Sequence, residues 1–203
     1  MPRPKKTSAQ LESTREQILD VTLAILQESG PEAITSRAIA ERLGVAHMSL
    51  YTYFENQAAI LRALRQREMT KWHSKQQFFN QRAETEDIAL VVEDLLRFFI
   101  AFARENPNLY RMAWIMPEVS GETPAENRTR MQATVGQLAA LLQKGMESGL
   151  FEPRNPFLAS VTALTMVNTP YILFHSGKLV DSFLRDEIVE EVLSAALGYL
   201  KKK

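Results

Sequence analysis

Apolar residues recur along this chain at intervals of three and four, the spacing that places side chains on one face of an α-helix. The strict alternation of apolar and polar residues that would indicate a β-strand is not convincing anywhere in the sequence. Gly and Pro residues separate the periodic segments at positions where helices are expected to end. The pattern therefore predicts an all-α protein.

Three short helices and then a long one are predicted in the first part of the chain, with bounds set by capping and turn residues. The first opens with a capping-box sequence at residues 14–17 and ends at Gly30, the second follows Thr35 and ends at Gly44, the third covers about 46–53, and the fourth begins near Gln57 after Asn56. Further helices, most of them long, are predicted at residues 85–105, 108–115, 124–148, 155–175 and 182–200.

Composition and charge exclude several classes of protein. The 203 residues include 24 basic and 24 acidic side chains, so bulk charge does not indicate a nucleic-acid partner. The absence of Cys excludes disulfides and thiolate zinc sites. The most apolar run, residues 95–103, is too short to cross a bilayer, and no signal peptide is evident. A cytoplasmic protein with no membrane partner is expected.

Catalytic machinery is not visible in the sequence. It contains no phosphate-binding Gly-rich loop, no nucleophile elbow and no zinc-type pair of histidines. The three histidines are scattered along the chain. The sequence therefore predicts a protein that is not an enzyme, with no catalytic residue, no cofactor and no metal site.

Two short helices joined by a Gly-containing corner form the pattern of a helix-turn-helix, whose second helix enters the DNA major groove. Val45, Leu50 and Phe54 are expected to face a small core, which leaves hydroxyls and rings available to phosphates and base edges. An ordinary three-helix corner with exposed tyrosines is the alternative. The candidate DNA-binding residues are Thr35 and Ser36 at the start of the first of these helices, and His47, Met48, Ser49, Tyr51, Thr52 and Tyr53 on the second.

This part of the chain resembles the N-terminal domain of the TetR family of transcriptional repressors. The matching segments are residues 14–19, Gly30, residues 34–35, 37–40, 43–45, 50–51 and 53–54, and residues 60–61, so the order and spacing hold over about 14–64. The resemblance implies that Arg37 and Gln57 also lie at the DNA, Gln57 standing where many members have a Lys that meets a phosphate.

The sequence departs from the family pattern at three positions of this domain. Ala46 stands where a capping residue is common, Met48 where Gly or Pro is common, and Gln57 lacks the positive charge. The missing charge is expected to weaken the salt-dependent part of DNA binding. A basic arm that contains Arg3, Lys5 and Lys6 is expected to compensate by binding DNA itself, or else is a solvated terminus.

The resemblance also implies a division of the chain into a flexible basic arm at residues 1–7, a helix-turn-helix domain at 8–55 and a ligand-binding and dimerisation domain at 56–203. In the family, the last two long helices of each subunit pair as a four-helix bundle in a homodimer. The faces expected to pair here are Leu158, Val161, Thr162, Thr165 and Val167, with Ile188, Val192, Ala195, Ala196 and Tyr199. Burial of these stripes within one chain is the alternative.

Aromatic and Met residues are concentrated in the middle of the chain, as in a pocket for an apolar or aromatic small molecule. Pro170 is expected to kink its helix and to present nearby polar groups to a ligand or to a structural water. The candidate ligand-binding residues are Phe98, Phe102, Tyr110, Trp114, Met131, Met166, Asn168, Phe174 and His175. A plain hydrophobic core is the alternative for all of the apolar ones.

These observations predict a dimeric repressor that binds a palindromic operator in double-stranded DNA and is released by an apolar or aromatic small-molecule effector. The rival interpretation is a DNA-bound protein that needs no effector and whose C-terminal half recruits a protein partner. An apolar cavity that takes up a small molecule would distinguish the first from the second.

Overall fold

The computed structural model describes residues 7–116 and 124–201 of the chain. These residues contain eight α-helices: α1 (Ser8–Ser29), α2 (Ser36–Leu43), α3 (Gln57–Arg82), α4 (Ile88–Glu105), α5 (Pro107–Tyr110), α6 (Pro124–Glu147), α7 (Pro156–His175) and α8 (Ser182–Leu200). Short 3-10 helices lie at Pro31–Ala33 and His47–Thr52, and a π-helical turn at Arg111–Ile115 continues α5. The described part of the chain has no β-strand, and the all-α prediction is confirmed.

Several helices begin and end at the capping residues that the sequence predicted. Thr35 accepts a hydrogen bond from the Ala38 N–H, and Asn56 accepts one from the Ala59 N–H. Gly44 ends α2 with a φ of 66°, the left-handed conformation that glycine adopts without strain. The corner between the two short helices therefore forms as its residue types require.

The start of α1 differs from the prediction. The capping box is made by Thr7 and Gln10, and the helix begins at Ser8, so its cap lies about two turns before the predicted cap, Thr14. Thr14 lies inside the helix, where its hydroxyl donates to the Gln10 carbonyl at 2.9 Å. Residues 7–10 and 14–17 both have a Thr followed three residues later by a Gln. The local sequence therefore does not distinguish which of the two forms the capping box.

Two hydrophobic cores are arranged along α3. The smaller core contains buried residues of α1 and α2 together with Leu50, Phe54, Ile60 and Leu64. The larger core forms where the second half of α3 packs with α4, α6, α7 and α8. Because α3 supplies buried side chains to both cores, it is the structural connection between them.

α7 is the most apolar long helix, and by length and composition alone it passes as a membrane span. It contacts α4, α6 and α8 instead, and Ala163, Val167 and Tyr171 are buried in the larger core. Such packing is typical of the central helix of a soluble bundle. The helix continues through Pro170, which is itself buried.

The helix faces predicted for dimerisation are only partly exposed to solvent. Leu158 is 60% exposed, and Thr162 and Thr165 are exposed beside it. The predictions for Val167 and Ala196 are wrong, because both side chains are buried in the larger core of the single chain. The residues predicted for the dimer interface on α7 and α8 are therefore partly buried in the core and partly exposed.

Candidate nucleic-acid interface

The segment predicted to read DNA is the 3-10 helix His47–Thr52, here called the recognition segment. Leu50, 1% exposed, and Phe54, 4% exposed, fix it to the smaller core. The rest of the segment is exposed: His47, Met48, Ser49, Tyr51 and Thr52. A single buried anchor thus leaves almost the whole segment available to a partner.

Two details at the start of this segment bear on the sequence predictions. Val45 is 45% exposed, so the prediction that it faces the small core is wrong. The reason is that Leu50 and Phe54 already fill the core side of this short helix. Ala46 provides no side-chain cap, and the first turn closes through the Ser49 N–H donating to the Ala46 carbonyl at 2.8 Å.

Tyr51 links the recognition segment to the start of α2. Its hydroxyl lies 3.5 Å from Ser36 Oγ and 3.4 Å from His47 Nε2, both at the long limit of a hydrogen bond. The His47 ring meets the Tyr51 ring edge-on, with centroids 5.3 Å apart. These contacts are weak enough for the Tyr51 hydroxyl and the imidazole to exchange them for a phosphate or a base.

Gln57 has a role that the sequence did not indicate. Its side-chain amide donates to the Ile34 carbonyl at 2.8 Å and accepts from the Ser36 N–H at 3.3 Å. The N–H groups of Ser36 and Ala38 are therefore both paired within the chain. The Ser36 side chain is buried, whereas Thr35 and Arg37 are exposed at this helix start.

Ion pairs and cation–π contacts hold α1 against the rest of this unit. Arg15 donates to the Tyr53 carbonyl, and its guanidinium lies over the Phe54 ring, 4.1 Å from the centroid. Arg67 of α3 pairs with both Glu16 and Asp20 of α1 at 2.8 Å. These contacts thus link α1 both to the residues that follow the recognition segment and to α3. Lys5 and Lys6 lie outside the described residues.

The predicted ligand-binding residues fall into two aromatic clusters. In the first, Trp72 stacks on Phe98, with centroids 5.6 Å and planes 11° apart, and also contacts Phe102. In the second, Tyr110 contacts Trp114, Tyr171 and His175, and Phe174 lies against His175. Met166 packs on the larger core, whereas Met131 is half-buried on α6 and contributes to neither ring cluster.

Buried polar atoms accompany the second cluster. The Tyr110 hydroxyl donates to Asn168 Oδ1 at 3.1 Å, and Asn168 Nδ2 donates to the Leu164 carbonyl at 2.8 Å. Burial raises the pKa of Tyr110, so this hydroxyl stays protonated. Burial is also the largest influence that lowers the pKa of His175. The polar groups of this cluster are therefore neutral at pH 7.

A third group of residues was missed by sequence reasoning. Trp72, His73, Gln76 and Asn80 form what we call the polar stripe of α3, since their spacing places them along one side of that helix. Each has a buried polar atom without a hydrogen-bond partner among the described residues: Trp72 Nε1, His73 Nε2, both amide atoms of Gln76 and Asn80 Oδ1. The surrounding sequence is polar, so it resembles a solvated helix face and gives no local signal of burial.

Comparison with known proteins identifies the N-terminal unit. Residues 18–64 match the family model described as bacterial regulatory proteins, tetR family. Residues 18–64 therefore form a TetR-type N-terminal domain. The match covers α1 from Ile18, the whole of α2 and the recognition segment, and the start of α3 as far as Leu64. Residues 18–64 supply every buried residue of the smaller core except Met112.

Individual relatives agree with this family assignment. The chain is 32% identical over 117 residues to the nucleoid occlusion factor SlmA of Mannheimia succiniciproducens, which covers 55% of this chain and 53% of that protein. It is 40% identical over 60 residues to the class C tetracycline repressor protein of Escherichia coli, which covers 30% of this chain and 27% of the repressor. The chain thus spans about half or less of the length of these curated relatives.

Solved structures extend the likeness to the whole fold. A TetR-family transcriptional regulator from Pectobacterium atrosepticum aligns over 97% of this chain and 99% of its own, with a TM-score of 0.72 at 15% identity. At that identity the likeness shows a shared fold, with an N-terminal helix-turn-helix unit and a larger helical unit. The family model, the tetracycline repressor and this solved structure are all described as regulators.

α5 and the π-helical turn that continues it touch both cores. Asn108 Nδ2 donates to the Gln27 carbonyl at the end of α1 at 3.2 Å, and Arg111 pairs with Glu32. Met112 of the π-helical turn is buried in the smaller core, while Tyr110 at the end of α5 is buried in the larger one. α5 and the turn that follows it therefore connect the two cores.

Proposed function

We propose that this chain is a cytoplasmic, dimeric transcriptional repressor that binds a palindromic operator and is released from it by an apolar or aromatic small molecule. In this proposal residues 8–55 contact the operator, and residues 56–203 form the sensor and the dimer interface. The observation that carries it is the recognition segment, which exposes hydroxyls and an imidazole from a single buried anchor, Leu50. Free side chains on a rigid support are what base and phosphate contacts require.

Contacts to DNA are assigned by chemistry. Ser49 and Thr52 can bind either phosphates or base edges, and His47 and Tyr51 can exchange their long mutual contact for one to the DNA. Thr35 and Arg37 are exposed at the start of α2, where an adjacent phosphate would lie. We assign the amide of Gln57 to the positioning of α2, and its contact with a phosphate stays a prediction.

Dimerisation through α7 and α8 is supported by the outward face of α7. Exposed residues recur along it at helical spacing, and small polar groups alternate with apolar ones: Leu158, Thr162, Thr165, Thr169 and Ile172. Leu158 and Ile172 are 60% and 39% exposed, so a partner helix would remove apolar surface from water. Two chains related by a two-fold axis would present two recognition segments to a palindromic site.

An effector site is supported by the aromatic clusters and by the path from α5 to α1. Phe98, Phe102, Tyr110, Trp114 and His175 lie in these clusters, as a site for a planar apolar molecule would require. Release would follow if the bound molecule prefers an arrangement of α3 and α5 in which the two recognition segments no longer match the operator spacing.

Selection of bound duplexes from a random DNA pool, at near-physiological salt, tests the proposal. We expect enrichment of a short inverted repeat, and loss of that enrichment with Ser49→Ala or Tyr51→Ala. Ser74→Ala, an exposed serine of α3 in the sensor half, is the matched control and should enrich the same repeat. Enrichment of no sequence by a folded chain would overturn the proposed repressor.

A DNA-bound protein that recruits a protein partner is the second candidate. The similarity to SlmA motivates it, because that relative is named for nucleoid occlusion and not for effector-released repression, and the aligned 117 residues are more than the 47 residues from 18 to 64 that match the family model. Under this candidate the sensor half would bind a protein and no small molecule. An operator complex that stays intact in every small-molecule titration, but gains a protein component, would select this function.

A further inference from the structure

The polar stripe of α3 is the feature of this chain that folding alone does not explain. Gln76 is 0% exposed, yet neither its amide oxygen nor its amide nitrogen has a hydrogen-bond partner among the described residues. Trp72 lies one turn before it and Asn80 one turn after it, and each also holds a buried polar atom without a described partner. Buried polar groups in folded proteins are almost always paired, because leaving them unpaired costs stability.

Aromatic rings of α4 line the same region. Trp72 is stacked against Phe98, and its ring centroid is 4.7 Å from that of Phe99 and 5.2 Å from that of Phe102. Phe79, one turn after Gln76, also packs against Phe98, with their ring centroids 5.6 Å apart. The Trp72 indole therefore packs against flat apolar rings, and Gln76 and Asn80 follow it along the same side of α3.

The unpaired atoms also define what hydrogen bonds a partner must make. Trp72 Nε1 is a donor only, the Gln76 amide offers both a donor and an acceptor, and Asn80 Oδ1 is an acceptor. The Asn80 nitrogen is already used, since it donates to Gln137 of α6. A complementary molecule must therefore carry an acceptor and a donor close together on one edge.

The neutrality of the polar stripe restricts the charge that a bound molecule can carry. The indole and amides of the stripe are neutral, and burial keeps His73 neutral by lowering its pKa. A charged group buried here would lose its hydration without an ionic partner from the stripe. The chemistry favours an uncharged edge over a carboxylate or an ammonium group.

We propose that the polar stripe of α3 recognises a planar, uncharged aromatic molecule through a carboxamide-like edge that pairs with Gln76 and Trp72. This inference rests on the proposed effector-released regulator and specifies the chemical class of its effector. Phe98 and Phe102 would contact the flat body of the molecule. Gln76 would select its polar edge, which distinguishes the site from a purely apolar pocket.

Three benzene derivatives of similar size test the chemistry without any DNA in the assay: benzamide, benzoate and propylbenzene. Trp114→Phe leaves Trp72 as the only tryptophan, because the chain has two. We expect benzamide to raise the melting temperature and to change the Trp72 fluorescence at millimolar concentration. Benzoate and propylbenzene should each bind at least about tenfold more weakly. Equal binding of the three, or binding of none, would overturn the inference.

Gln76→Leu separates recognition from structure. It removes the unpaired amide while keeping the volume, so the free chain should melt at the same or a higher temperature. Benzamide affinity should fall about tenfold, to that of propylbenzene. Gln77→Leu, at the exposed neighbouring position, is the matched control and should leave benzamide affinity unchanged.

An internal water that satisfies Gln76 would give the opposite result. Gln76→Leu would then lower the melting temperature, and the affinity for benzamide would not change, which overturns the inference. Failure of the DNA selection would not change the relative affinities of benzamide, benzoate and propylbenzene. It is therefore a separate outcome. The two proposals can therefore fail independently.

Discussion

Tyr110 and Asn168 join α5 to α7 by a buried hydrogen bond of 3.1 Å between the phenol hydroxyl and the amide oxygen. Pro170 lies two residues beyond Asn168, and its lack of an N–H leaves the Met166 carbonyl without its usual helical donor. The bond thus braces α7 near a point where its own hydrogen-bond ladder is interrupted. Since α5 also touches α1, the contact is part of the connection between the two cores.

Removal of the Tyr110 hydroxyl should destabilise the chain. Tyr110→Phe leaves a buried amide oxygen without a donor, and we expect the free energy of unfolding to fall by about 1–3 kcal/mol. Chemical denaturation measures the change. Tyr199→Phe, at a half-buried tyrosine of α8, is the control and should stay within about 0.5 kcal/mol. Unchanged stability of Tyr110→Phe would show that another donor satisfies Asn168.

Substitution of Gln57 tests the DNA-facing start of α3. Gln57→Lys removes the amide that pairs with Ile34 and Ser36, so the melting temperature should fall. The new charge should steepen the log–log dependence of operator affinity on salt by about one unit. Gln66→Lys, further along the same helix and exposed, controls for charge and should give a smaller change. An unchanged slope for Gln57→Lys would place position 57 away from the phosphates.

Two glycines of α6 should respond in opposite directions to the same substitution. A Cβ at Gly145 would collide with the Phe151 ring, whereas a Cβ at Gly136 would have no neighbour within 4 Å. Gly145→Ala is therefore expected to cost about 1–3 kcal/mol of stability through overpacking. Gly136→Ala should stabilise the helix by about 0.5–1 kcal/mol. Equal effects in a thermal unfolding series would contradict the close packing of Phe151 on α6.

Mild acid should destabilise the chain through its buried imidazoles. Burial lowers the pKa of His73 and His175 in the folded state, so the unfolded chain binds protons more readily. The stabilising effect is complete above about pH 6.5 and is lost as the pH falls towards the folded-state pKa values. Melting temperatures across this range measure it.

His73→Leu removes one of these groups and should make the decline in melting temperature with falling pH shallower. His47→Gln, at the exposed histidine of the recognition segment, is the control, and its curve should follow that of the unaltered chain. A curve for His73→Leu parallel to the parent curve would show that His73 does not contribute to the acid sensitivity.

Local sequence determined much of the DNA-binding unit. Gly44, Thr35 and Asn56 act as predicted because a turn or a cap depends on the chemistry of one residue and its immediate neighbours. Where the same local signal occurs twice, as in the capping sequences that begin at Thr7 and Thr14, neighbours do not select between them. Only the rest of the fold does so.

The larger, C-terminal part of the chain was less predictable, because its features depend on contacts between distant segments. Gln76 lies in a polar stretch of sequence and is nevertheless fully buried, since α3 packs against α4 and α6 there. Val167 looked suitable for a dimer face, but it packs inside the chain. Helical periodicity finds the two sides of a helix but does not tell which neighbour each side meets.

The smaller core has a consequence for the construction of chimeric regulators. Ile60, Leu64 and Met112 lie beyond residue 55, yet their side chains complete that core. A DNA-reading module excised at residue 55 would leave its apolar interior open to water. A graft that exchanges operator specificity should place its junction after Leu64, and the recipient must offer an apolar side chain in the place of Met112. The N-terminal unit is therefore completed by side chains from the rest of the chain and is not a separate module.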